Sequence, residues 1–110
     1  MNKLSETQVK EFKSKISAAF RKLRQAGYIA KKNFQCCQSC AWTELESEYS
    51  EDELKNVVFY HHQDNDNITN GYVWMAWSGD GETICKTFQE AGLKASWSAI
   101  PESRIRVSFD

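Results

Sequence analysis

The chain has 110 residues, 41% of them apolar and 26% charged, with a single proline and a net charge of -1. That size and composition suit one soluble domain, residues 1–110, able to bury a core without disulfide staples. No run approaches the roughly 20 continuous apolar residues of a membrane span, and so small a total charge draws in neither nucleic acid nor membrane.

Met1 to Glu6 leads into an amphipathic helix rather than a signal-peptide apolar core, so the expected location is cytoplasmic. Ser5-Glu6-Thr7-Gln8 reads as a capping box, and Leu4 can staple to Val9. Val9, Phe12, Ile16, Phe20 and Leu23 recur every three or four residues and predict one buried helical stripe. Gly27 follows as a left-handed terminator, with Tyr28 placed to fold back on Leu23. A short strand over Asn33 to Cys37 and an acidic loop are expected next. Val57 to His62 and Tyr72 to Trp77 then read as an antiparallel strand pair, rich in β-branched and aromatic residues, with Asn70-Gly71 as a turn signal. A second helix carries Ile84, Phe88 and Ala91, capped by Asp80 and ended by Gly92. Two alternating runs, Leu93 to Ser98 and Arg104 to Phe109, complete the chain. The expected fold is α+β: a mainly antiparallel sheet of four to five strands with two helices packed on one face.

Charge is unevenly distributed. Residues 1–33 hold nine Lys or Arg against Glu6 and Glu11, whereas residues 34–69 hold Lys55 against eight acids. The basic side chains suit the solvated face of the first helix. The acids suit a surface that steers a basic partner.

Cys36, Cys37 and Cys40 stand within five positions, and His61-His62 lies some twenty residues on. Cytosolic thiols stay reduced, so no structural disulfide is expected. Cys37-x-x-Cys40 has the spacing of half a zinc knuckle and His61 could add a third ligand, but a closed site needs four. His61 and His62 are strand neighbours that point to opposite faces, so they cannot share a site. The same dithiol spacing occurs in redox enzymes, yet Glu44, Glu46 and Glu48 nearby would raise a thiol pKa and oppose activation. Free thiols, shielded under the sheet and holding no zinc, are the expectation.

Trp42, Trp74, Trp77 and Trp97, with Tyr49, Tyr60 and Tyr72, form a dense aromatic set. Alternation sends Trp74 and Trp77 to opposite faces, so at least one is expected at the surface, lying beneath Lys or Arg stems or anchoring a partner. Stacking of single-stranded nucleic acid would need basic residues interleaved on the same strands, and from Val57 to Trp77 there are none.

Five motifs stand in order along the chain: Phe34-Gln35-Cys36-Cys37-Gln38-Ser39-Cys40, Tyr60-His61-His62-Gln63-Asp64, Val73-Trp74-Met75-Ala76-Trp77, Ala91-Gly92-Leu93 with Trp97, and Arg104-Ile105-Arg106-Val107. Through them the chain, from Phe20 to Val107, resembles a bacterial family of uncharacterised proteins. Ala41, His62 and Ser98-Ala99 depart from the family pattern. The resemblance implies a shared fold and no particular activity.

Size, compartment and charge pattern together point to a non-catalytic protein-binding domain with no cofactor, analogous to small bacterial immunity or inhibitor proteins that neutralise a basic partner such as a nuclease toxin. The expected contact residues are Glu44, Glu46, Glu48, Tyr49, Glu51, Asp52, Asp64, Asp66, Trp74 and Trp77. Direct nucleic-acid and membrane partners are not expected. The alternative is a zinc-binding or redox site at Cys37, Cys40 and His61 acting on a small substrate.

Overall fold

A computed structural model describes residues 3–32, 34, 38–61, 66–97 and 104–109. Helix α1, Glu6–Gln25, starts where expected: the Ser5 amide donates to Gln8 Oε1 at 2.9 Å and the Gln8 amide donates to Ser5 Oγ at 3.2 Å, which satisfies two otherwise orphan donors. Its stripe of Phe12, Ile16, Ala19, Phe20 and Leu23 is fully buried. The helix ends at Gly27, whose φ of +96° a side chain would resist, and the Tyr28 amide reaches back to the Leu23 carbonyl at 2.9 Å.

Strand β1, Ile29–Lys31, pairs in parallel with β2, Val57–Phe59, in the register Ile29↔Val57 and Lys31↔Phe59. The parallel pairing follows from what lies between them, because helix α2, Gln38–Glu48, carries the chain across as the helix of a βαβ unit. This corrects the expected acidic loop. The signal was present in Ala41, Leu45 and Tyr49 at helical spacing beside Trp42, but six acids within the ten positions from Glu44 to Glu53 obscured it. The remaining strands are antiparallel: β3, Tyr72–Ser78, pairs with β2 and with β5, Ile105–Ser108, which pairs in turn with β4, Lys94–Ser96. The five-stranded order is β1-β2-β3-β5-β4. Strands β2, β4 and β5 are shorter than their sequence runs, β3 extends one residue further, to Ser78, and the expected strand over Asn33 to Cys37 falls mostly outside the described residues; the strand in that region is β1.

Helix α3, Gly81–Glu90, is capped by Asp80, whose Oδ1 accepts from the Glu82 amide at 3.1 Å and whose Oδ2 accepts from the Thr83 hydroxyl at 2.8 Å. Gly81 is buried beneath the Trp77 and Trp97 rings, which meet edge to face at 5.2 Å between centroids. A Cβ at Gly81 would stand 2.9 Å from Trp97 and 3.0 Å from Trp77, so the pair leaves room for hydrogen alone.

Helices α1 and α3 cover one face of the sheet, as expected. Between them and the sheet lies the larger core, with Phe20 set against Phe88 at 6.0 Å and Tyr60 at 6.4 Å, and with Val73, Met75, Ile105 and Val107 below. The other face carries a second core, in which Ala41 and Leu45 of α2 pack on Val57, Phe59 and Ala76. The sheet is therefore covered on both sides at its β1–β2 end.

Candidate functional site

Alternation along β3, β5 and β4 assigns the second face a set of residues that α2 does not reach. The register places Tyr72, Ser108 and Lys94 in one cross-strand row, and Trp74, Arg106 and Ser96 in the next. The Arg104 guanidinium lies 5.8 Å from the centre of the Trp74 ring, and that of Arg106 lies 5.0 Å from the centre of Tyr72. Trp74, Tyr72 and Arg104 are half-buried, while Arg106, Lys94 and Ser96 are exposed. This is the arrangement of aromatic rings under basic stems that keeps an open sheet face solvated. The second face is thus divided, with an acid-rich helix over one end and a basic, aromatic half that no described element covers.

The acids sit on α2 and the turn after it. Glu46, Glu48, Glu51, Asp52 and Glu53 are exposed and Glu44 is half-buried. Asp52 pairs with Lys55 at 3.1 Å on the surface, and Glu53 accepts from the Ser50 amide and hydroxyl at 3.0 and 3.1 Å. Asp66 begins a short 3-10 helix, Asp66–Asn70, and Asp64 lies outside the described residues.

Of the three expected aromatic anchors, Trp74 alone stands on the open face. Tyr49 belongs to the second core, where the Lys31 ammonium lies 5.9 Å from its ring and 5.8 Å from that of Phe34. Trp77 faces the other way, packed on the larger core and on Trp97. It stands on the face opposite α2.

The thiols and imidazoles divide differently from expectation. Cys40 is exposed in the first turn of α2, against the expectation of a shielded cluster, and His61 is buried just beyond β2. Cys36, Cys37 and His62 lie outside the described residues. Among the described residues no three His, Cys, Asp or Glu side chains gather as metal ligands. Burial pushes the Cys85 thiol on α3 above its ordinary pKa and the Tyr60 phenol up to about 12, so both stay protonated at neutral pH. Burial also raises Tyr28, although a hydrogen bond from the Asp80 backbone opposes the shift.

The register reveals what the one-dimensional pattern hid. Strands β2 and β3 carry no basic residue among their aromatics, but β5 lies beside β3 and puts Arg106 directly opposite Trp74. Arg104, Arg106 and Lys94 read in sequence as ordinary polar positions of two distant alternating runs, and only strand order joins them to Tyr72 and Trp74.

The chain belongs to a family described as a domain of unknown function, DUF6891. The match spans residues 7–110 and so takes in every element from α1 to β5. An uncharacterised family is what the ordered motif set implied. No curated protein and no solved structure matches the chain. Among the described residues no helix is long and apolar enough to cross a membrane.

Proposed function

We propose that the domain is a non-catalytic protein-binding module of the bacterial cytoplasm, and that its partner presents a basic surface to the acidic flank of α2, as the target of an immunity or inhibitor protein does. One observation carries the reading. Glu46, Glu48, Glu51, Asp52 and Glu53 are held in solvent along one continuous helix and turn, whose inner side is fastened by buried Ala41 and Leu45. Lys55 alone among the described residues forms an ion pair with any of these acids. The field is thus left for a partner to neutralise, and rigid presentation lowers the ordering cost of binding. Trp74, half-buried on the open part of the same face, is the aromatic anchor that best accompanies the acids.

The test is surface plasmon resonance against a basic partner recovered by affinity capture. Association should slow as salt rises, because exposed charges are screened beyond about 8 Å at physiological ionic strength. Reversal of Glu46 and Glu48 to Lys should act on the on-rate, whereas Trp74→Ala should act on the off-rate. An association rate indifferent to salt and to both reversals would refute the acidic surface as the contact.

A further inference from the structure

The half of the second sheet face beyond α2 presents rings and cations side by side, a chemistry complementary to an anionic, stackable ligand. We infer that Tyr72, Trp74, Arg104, Arg106 and Lys94 form a binding platform for a short segment of single-stranded nucleic acid.

Three features argue for that occupant. First, Tyr72 and Trp74 are two apart on one strand, so they stand on the same face about 7 Å apart, a spacing at which successive unstacked bases can each meet a ring or the guanidinium over it. Second, the phosphate-binding chemistry lies one and two strands over. Among the described residues Arg106 and Lys94 form no ion pair, and they line a depression of about 550 Å³ with Ser96, Ser108 and Gln89. Arg106 opposite Trp74 and Lys94 beyond Ser108 place cationic donors where a backbone following the bases would run. Third, the β4 edge does not invite a peptide strand instead. The Gln89 side-chain amide donates to the Ala95 carbonyl at 3.4 Å, so one backbone acceptor of that strand is already engaged. The ligand is accordingly placed on the face, where the rings and cations stand.

The acids of α2 set the limits of this platform. A polyanion extending toward β2 would meet Glu44, Glu46 and Glu48, so the footprint is confined to β3, β5 and β4 and to a few nucleotides. A duplex, rigid and without exposed base faces, has no way to use the rings.

Fluorescence anisotropy with a dye-labelled single-stranded oligothymidylate octamer tests the inference on the intact chain. Saturable binding is expected, with a salt slope of about 2, from three cations at roughly 0.7 each. Arg106→Glu and Lys94→Glu should each weaken it about tenfold or more, and Trp74→Ala and Tyr72→Ala by about tenfold through lost stacking. All four positions lie at the surface or half-buried, and an unchanged far-UV circular dichroism spectrum and melting midpoint confirm that each variant is folded; Arg106→Lys, which keeps the charge, should bind better than Arg106→Glu. Reversal of Glu46 and Glu48 to Lys should not weaken the octamer, which separates this platform from the acids of the protein-binding flank, Trp74 being common to both. The inference is overturned by absence of octamer binding, by equal affinity for a duplex or for thymidine monophosphate, by a hexaglutamate peptide binding as tightly as the octamer, or by indifference to the four substitutions.

Discussion

Phe59 measures whether α2 is a structural half of the domain. Its side chain is fully buried, with the Trp42 ring 5.1 Å away and the Phe34 ring 6.1 Å away, both edge to face. These contacts all lie on the α2 side, so a loop in place of that helix would leave Phe59 facing water. A buried phenylalanine removes about 150–250 Å² from solvent, and at about 25 cal/mol per Å² this sets an upper bound of about 4–6 kcal/mol. Alanine keeps the Cβ, and half-buried Trp42 and Phe34 can relax partly into the gap, so the expected loss for Phe59→Ala is about 3–4 kcal/mol. Against a total of about 5–15 kcal/mol for a domain of this size, the variant stays folded but is weakened heavily. Urea denaturation followed by far-UV circular dichroism should show the midpoint falling by about 2 M, for a slope of about 1–3 kcal/mol per M. Hydrogen exchange should quicken in α2 before it quickens in α3, because Phe59 supports the first and does not touch the second. A loss below about 1 kcal/mol, the range of a surface substitution, would refute the second core.

Phe20→Ala, which removes the ring set between Phe88 and Tyr60, should cost about 3–5 kcal/mol in the same denaturation assay, and a near-neutral result would refute the larger core as described. Ser78→Ala should cost about 1–3 kcal/mol, because the Ser78 hydroxyl donates to the Leu54 carbonyl at 2.7 Å and accepts from the buried Val57 amide at 3.1 Å; Ser78→Thr, which keeps the hydroxyl, should recover part of the loss. Alkaline pH should destabilise the fold. The folded state holds the Tyr60 proton more tightly than the unfolded chain does, so this contribution is complete below about pH 10 and is lost as pH rises toward 12, with buried Cys85 adding to the decline from its ordinary 9.0 upward. Midpoints measured from pH 8 to pH 11 should fall at the upper end, and Tyr60→Phe should flatten that fall.

What the sequence determined by itself was local chemistry. The capping box at Ser5 and Gln8, the Phe12-to-Leu23 stripe, the Asp80 cap and the glycine-terminated helix ends all depend on residues within a few positions of one another, and each stands as read. Strand alternation likewise separated Trp74 from Trp77 correctly, since a period of two needs no knowledge of neighbours. Tertiary structure decided what depends on pairing. The stretch around Glu44, Glu46 and Glu48 is helical because Ala41, Leu45 and Trp42 find an apolar sheet face to cover, and its weak amphipathic signal, crowded by acids, could not announce that face. Parallel pairing of β1 with β2 follows from the same helix. Residues 73 and 107 become partners because β5 inserts between β3 and β4, a consequence of strand order that no spacing along the chain encodes. That insertion brings Arg104 and Arg106 over Trp74 and Tyr72, so the charge that a linear reading found missing from the aromatic strands arrives from about thirty residues further along the chain.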